Sequence, residues 1–81
     1  MEKNADSKPN MVSIIMPTVA QYNCNQKKTI KAGPGEDITK LCFDWIKEFA
    51  QNQFAVSDSG AFIPWHSVVL LEPKYSVANG D

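Results

Sequence analysis

The segment from Ile38 to Asn52 constrains the fold most, because it has the clearest helical periodicity in the chain. At about 100° per residue, most of its large apolar side chains fall within roughly 60° of Ile38. These residues are Leu41, Cys42, Trp45 and Phe49. Phe43, Ile46 and Ala50 widen the apolar arc to roughly 200°. The opposite side is polar and carries Lys40, Asp44, Lys47, Glu48 and Gln51. The pattern therefore predicts one amphipathic helix.

The residues before this segment predict where the helix begins. Gly33-Pro34-Gly35 interrupts regular structure and favours a turn. Asp37 is a good N-cap residue, and Glu36 places negative charge at the positive end of the helix dipole. The helix is therefore expected to begin at Ile38, directly after the turn.

The residues upstream predict a hairpin. Met11–Met16 is rich in β-branched residues and predicts a first strand, which Val19–Tyr22 extends beyond a bend at Pro17. Lys27–Lys31 alternates weakly and predicts a second strand, joined to the first through the loop at residues 23–26. Lysines on a short strand are typical of a sheet edge, where they discourage pairing with another chain.

Short segments after the helix predict further strands. Phe54–Ser57 is a strand candidate, and Asp58-Ser59-Gly60 has the composition of a turn. Val68–Leu71 lacks polar alternation, which predicts a strand covered on both faces and ended by Glu72-Pro73. Pro64 cannot donate to a ladder, so its surroundings are expected at an edge, a bulge or a bend.

This order of elements predicts an α+β fold. The expected arrangement is β-β-α-β-β, with one amphipathic helix packed on a small antiparallel sheet of three to four strands. The alternative is a small β-barrel of SH3 or Sm type carrying one helix, which the bend at Pro64 would suit. Residues 1–10 are expected to form a disordered leader, 11–75 a single small domain and 76–81 a flexible tail.

Charge and hydropathy argue against several classes of function. The 81 residues carry eight lysines, no arginine and nine carboxylates, so no positive field attracts nucleic acid or an anionic membrane. The N-terminal residues lack the apolar stretch of a signal peptide, and the apolar run at 61–71 is shorter than the roughly 20 residues of a membrane span. We therefore expect a cytoplasmic protein. Plentiful Lys, Asn and Ile are typical of genes of low GC content and suit a microbial or phage source.

Candidate catalytic and metal residues lack recognisable motifs. His66 is the single histidine, and no nucleophile motif surrounds it. Cys24 and Cys42 offer neither the close ligand pairs of a zinc site nor a disulfide framework. Gly33-Pro34-Gly35 lacks the pattern of a phosphate-binding loop, and Asp58-Ser59-Gly60 lacks the nucleophile elbow of hydrolases. We expect no enzyme activity, no cofactor and no metal.

The leading hypothesis is a non-enzymatic binding or regulatory module that acts through a protein partner. One helix on one sheet cannot easily hide all the large apolar side chains, which include Phe43, Ile46, Phe62, Ile63 and Trp65. The alternative interpretation is that these side chains form a dense core. Aromatic anchors dominate the energetics of protein interfaces. The helix flank bearing Phe43, Ile46 and Ala50, with Trp65, is expected to lie uncovered. It predicts the centre of a two-fold symmetric homodimer.

An alternative hypothesis is the binding of single-stranded nucleic acid. Tyr22 lies near Lys27, Lys28 and Lys31, and single-strand binders combine aromatic rings for the bases with cations for the phosphates. A solvated edge strand predicts the same lysines. A third hypothesis, a small hydrolase centred on His66, has no supporting motif.

Overall fold

The computed structural model describes residues 8–18 and 25–78. It contains two antiparallel sheets, and the helix packs on the larger one. The elements are β1 (Met11–Met16), β2 (Gln26–Lys31), α1 (Ile38–Asn52), β3 (Phe54–Val56), β4 (Phe62–Pro64), a 3₁₀ turn (Trp65–Ser67) and β5 (Glu72–Ser76). Strands β2, β1 and β5 form the larger sheet in that order, and β3 pairs with β4 in a two-stranded ribbon. The predicted α+β class and the order β-β-α-β-β are confirmed, with one strand more after the helix than predicted.

Strand β1 lies at the centre of the larger sheet, and its alternation places one face on the core. Val12, Ile14 and Met16 are fully buried, whereas the residues between them are only half-buried. The antiparallel register aligns Val12 with Ile30 of β2 and with Tyr75 of β5. Aligned residues share a face, so these side chains all lie on the side of the helix.

Helix α1 begins and ends where the sequence predicts. The Asp37 carboxylate accepts a hydrogen bond from the Thr39 N–H at 2.9 Å and forms the expected N-cap. At the other end, Gln53 adopts a left-handed conformation with φ of 69°, and its N–H donates to the Phe49 carbonyl at 2.9 Å. Both ends of the helix therefore satisfy backbone groups that lack partners within the helix.

The helix joins two apolar clusters. The first consists of Val12, Ile14, Ile38 and Cys42, and it fixes the helix to β1. The second consists of Met16, Phe49, Ala55 and Ile63, and it fixes the ribbon to the end of the helix. Trp45 and Leu71 pack against both clusters. The ribbon therefore turns its Ala55 and Ile63 face inward and its other face away from the core.

The segment after the ribbon differs from the prediction. Val68–Leu71 is not a strand, because the chain passes through the 3₁₀ turn and then makes one isolated bridge from Val68 to Thr18. The strand begins at Glu72, where the sequence predicts an end. A short apolar run does not reveal its own conformation. Pro73 is tolerated because β5 is an edge strand.

Some predicted features lie outside the described residues. They include the extension at Val19–Tyr22, residues 23 and 24 of the hairpin loop, and residues 1–7 and 79–81 of the expected leader and tail. Close to these limits, the Asn10 side-chain oxygen accepts a hydrogen bond from the Ala78 N–H at 2.6 Å. The predicted division into leader, domain and tail stays a prediction.

The left-handed conformation at Gln53 generates a stability prediction. A side chain costs about 1 kcal/mol in this conformation, whereas glycine adopts it freely. Gln53→Gly also loses the hydrogen bond from Nε2 to the Ala50 carbonyl. We expect a net gain of about 0.5 kcal/mol in the free energy of unfolding, measured by urea denaturation. Asn52→Gly, at the last helical residue, should lower it by about 0.3 kcal/mol. A loss of stability in Gln53→Gly would contradict the prediction.

Candidate functional site

The β3–β4 ribbon presents an apolar face to solvent. Because Ala55 and Ile63 point to the core, strand alternation places Phe54, Val56 and Phe62 on the outer side, and we call these three residues the ribbon face. Phe62 is 65% exposed and Phe54 is 43% exposed. Their rings stack with centroids 5.3 Å apart and an interplanar angle of 10°. Contiguous exposed apolar side chains of this kind are typical of interaction sites.

A small cleft adjoins the ribbon face. It has a volume of about 210 Å³ and lies between the helix, β2 and β3. Trp45, Phe54 and Val56 contribute apolar walls, and Lys28 and Glu48 contribute opposite charges. The ribbon face and the cleft share Phe54 and Val56, so they form one continuous surface.

The helix flank predicted to be uncovered lies on the side of β5. A side-chain hydrogen bond with Cys42 raises the pKa of the Tyr75 hydroxyl, burial adds to this effect, and Thr39 contacts the same hydroxyl. Phe43 also lies on this flank, and its side chain is 59% exposed. Ile46 is half-buried because it packs against the first apolar cluster. The flank therefore presents Phe43 as its main exposed side chain.

The other two residues predicted for this interface lie closer to the core. Ala50 is half-buried on the last part of the helix. Trp65 is also half-buried and meets the Phe49 ring edge-on, with centroids 4.8 Å apart and an interplanar angle of 85°. Trp65 therefore belongs to the second apolar cluster rather than to the exposed flank.

The lysines of the nucleic-acid hypothesis do not share one face. Lys27 and Lys31 lie on the outer side of the larger sheet, together with Lys74 of β5. Lys28 lies on the opposite side and lines the cleft. Tyr22 lies outside the described residues. The structure therefore brings together two of the predicted lysines, Lys27 and Lys31, with Lys74, which was not predicted.

The turn of the ribbon covers the free edge of β2. The Asp58 N–H donates to the Lys27 carbonyl at 2.8 Å, and the Asp58 carboxylate accepts from the Thr29 N–H at 2.9 Å and the Thr29 hydroxyl at 2.6 Å. Partial burial raises the pKa of Asp58, but the Thr29 hydrogen bonds and the charges of Lys28 and Lys27 outweigh it and leave the pKa below its usual value. These bonds occupy the groups that an added strand would need.

The opposite edge of the sheet is also unfavourable for strand addition. Strand β5 carries Pro73, which has no N–H to donate, and Lys74, whose charge opposes close pairing. A partner is therefore more easily accommodated on a face of the molecule than at these two edges.

The remaining candidate residues give no assembled site. Among the described residues, no group of three His, Cys, Asp or Glu side chains is placed to hold a metal ion. Cys42 is a buried free thiol, whereas Cys24 lies outside the described residues. His66 is exposed on the 3₁₀ turn. The Gly33 N–H donates to the Glu36 carboxylate at 2.6 Å, so the protein's own side chain occupies this turn.

Phe54 and Val56 were not predicted as surface residues. The available signal was the small Ala55 between two large apolar residues, because in a strand this pattern places the large side chains on the face opposite Ala55. The surface also depends on Trp45, which sequence periodicity assigns only to the core side of the helix.

Comparisons with family models, curated proteins and solved structures give no match to this chain. Among the helices of the described residues, none has the length and apolar character required to cross a bilayer. Function is therefore inferred from the surfaces themselves.

The Asp58 contacts generate a pH-dependent prediction. Asp58→Ala removes two hydrogen bonds from Thr29 and should lower the free energy of unfolding by about 1–2 kcal/mol at pH 7. Because the folded-state pKa lies below the unfolded value of about 3.9, this contribution is present above that value and is lost as pH falls through the folded-state pKa. Wild type and variant should therefore converge in urea denaturation at acid pH.

Ser59→Ala provides the control for this experiment. Its hydroxyl donates to the Gln26 side chain at 3.2 Å in the same turn, but neither group titrates in this range. The effect of Ser59→Ala should therefore not depend on pH. An Asp58→Ala effect that is equally large at neutral and acid pH would contradict the assigned role of the carboxylate.

Proposed function

We propose that this chain is a non-enzymatic binding module that acts through contact with another protein at the ribbon face. The observation that carries the proposal is the stacked, exposed pair Phe54 and Phe62 on a ribbon whose opposite face is fixed in the core. Rigid aromatic side chains lose little conformational entropy on binding and are enriched among the residues that dominate interface energetics.

The exposed area indicates a weak or transient interaction. The two phenylalanine rings expose roughly 200 Å² in total. Burying this area contributes about 5 kcal/mol before the cost of association. A micromolar dissociation constant requires about 8 kcal/mol. A partner must therefore gain further contacts in the adjoining cleft, and we expect micromolar rather than nanomolar affinity.

Homodimer formation through the helix flank is a second proposal about partners. Phe43 is the large exposed side chain on this flank, and Ile46 and Ala50 keep only part of their surface accessible. Stable interfaces bury about 800 Å² on each partner. The flank offers much less apolar area, so we expect a weak monomer–dimer equilibrium.

Phe43→Glu tests the homodimer directly. The charge should oppose burial of the flank and shift the protein to monomer in light scattering at high micromolar concentration. Lys47→Glu, on the polar side of the helix, should leave the equilibrium unchanged. A wild-type mass that stays near 9.0 kDa at every concentration would exclude the dimer.

A specific observation also supports a second candidate function, the binding of single-stranded nucleic acid. Lys27, Lys31 and Lys74 lie on the open face of the larger sheet and could contact a phosphate backbone. Glu72 lies on the same face and reduces the positive charge. The central strand contributes Met11 and Ile15 here rather than an aromatic platform for bases, so this candidate ranks second.

Selection from a random peptide library on the immobilised full chain separates the two candidates. We expect enriched peptides with apolar or aromatic anchors, and Phe62→Ser should weaken their binding by at least about tenfold in calorimetry. Lys74→Ser, on the outer side of the larger sheet, should change the affinity of these peptides by no more than about twofold relative to wild type. Both substitutions are at exposed positions, and circular dichroism checks that the variants fold.

Titration with a random single-stranded oligonucleotide provides the contrary outcome. Binding that weakens steeply with salt and falls in Lys74→Ser, but not in Phe62→Ser, would favour the second candidate. Peptides that bind wild type and Phe62→Ser equally would contradict the proposed ribbon-face function.

A further inference from the structure

We infer that the cleft beside the ribbon face selects a partner segment in which one apolar or aromatic side chain stands between an acidic and a basic residue. The inference rests on the proposed function, because it specifies the chemistry of the protein that binds there. Its evidence is separate, since it comes from the size of the cleft and from its two charged side chains.

The cleft has the size of a single side chain. Its volume of about 210 Å³ lies below the roughly 300–1,000 Å³ that is typical of pockets for small-molecule ligands and cofactors. Trp45 and Phe49 line it with rings whose centroids are 5.3 Å apart, and Phe54 and Val56 line it from β3. These apolar walls favour an apolar or aromatic anchor, whose entry would remove apolar surface from water on both sides.

Two opposite charges lie on different walls of the cleft. Lys28 comes from β2, and Glu48 comes from the helix. Within the described residues, neither side chain makes an ion pair, since the ion pair of this helix joins Lys40 to Asp44. Lys28 also acts on the Asp58 carboxylate through space, without forming an ion pair with it. Both side chains therefore keep their charged groups for a partner, Lys28 for a carboxylate and Glu48 for an ammonium or guanidinium group.

Charge complementarity decides between possible partner segments. A segment with charges of both signs gains one favourable contact at each wall, whereas a segment with two like charges meets repulsion at one of them. Asn52 also lines the cleft, and its side-chain amide can donate to and accept from a peptide backbone. The mixed-charge segment is therefore the occupant that satisfies both walls.

Three synthetic peptides with the same central tryptophan test this inference by calorimetry on the full chain. One carries Asp on one side and Lys on the other, the second carries Lys on both sides, and the third carries Asp on both sides. Wild type should bind the mixed peptide about fivefold more tightly than either of the others. Lys28→Glu should prefer the doubly basic peptide, and Glu48→Lys should prefer the doubly acidic peptide.

Matched controls make the same charge changes on the other face of the sheet. Lys74→Glu and Glu72→Lys should both keep the wild-type order of affinities, because these side chains lie away from the cleft. Glu48 is exposed on the helix, so Glu48→Lys carries the test alone if Lys28→Glu does not fold.

The contrary outcomes separate this inference from the proposed function. Equal affinity for all three peptides, with binding still weakened by Phe62→Ser, would overturn the charge selection and leave the ribbon-face function intact. No binding of any peptide to wild type would overturn the inference, and the library selection would then decide the proposed function. A doubled mass in light scattering that Phe54→Ser abolishes would identify a second copy as the occupant instead.

Discussion

The packing of Phe49 between two tryptophan rings is the contact on which the exposed surface depends. Phe49 is 2% exposed, and its ring meets Trp45 of the same helix and Trp65 of the 3₁₀ turn. This cluster fixes the end of the helix against the inner face of the ribbon. Because Ala55 and Ile63 pack the inner face of the ribbon against the core, the outer face of the ribbon points toward solvent. The exposed aromatic pair is thus a consequence of how the core is filled.

The same geometry explains why the faces of this molecule differ in character. The outer side of the larger sheet is charged, the ribbon face is apolar, and the edges of the larger sheet are protected by the Asp58 turn and by Pro73. Protection of the edges limits unspecific pairing with other chains. The ribbon face then offers a stacked aromatic pair for contact, apart from the other exposed apolar side chains such as Phe43 and Val69.

Local signals in the sequence were sufficient for much of the fold. Asp37 and the periodicity after it predict both the start and the end of the helix, and the β-branched residues of Met11–Met16 predict the central strand. The prediction of a strand at Val68–Leu71 is wrong, because these apolar residues lie in the loop that connects the ribbon to the larger sheet. Whether such a run becomes strand or loop depends on tertiary pairing, which sequence periodicity does not contain.

The candidate surface was only partly predictable for a related reason. Phe62 stands out by size and sequence context, whereas Phe54 and Val56 are marked only by the small Ala55 between them, a weak signal in a strand of three residues. Their neighbour in the cleft, Lys28, lies on the face opposite Lys27 and Lys31, as the alternation of a strand requires. Its proximity to Glu48 arises from packing between a helix and a strand that are separate in sequence.

The order of pairing in the larger sheet has a consequence for synthesis on the ribosome. Strand β1 pairs with β2 soon after both are made, but its other neighbour, β5, comes almost at the end of the described residues. At about 5–20 residues per second, the nascent chain waits roughly 2–9 seconds between these two pairings. During that interval one edge of the central strand is unpaired, while its apolar face already requires cover from the helix. A chaperone that binds the nascent chain would therefore encounter a sheet in which β1 and β2 are paired and β5 is still absent.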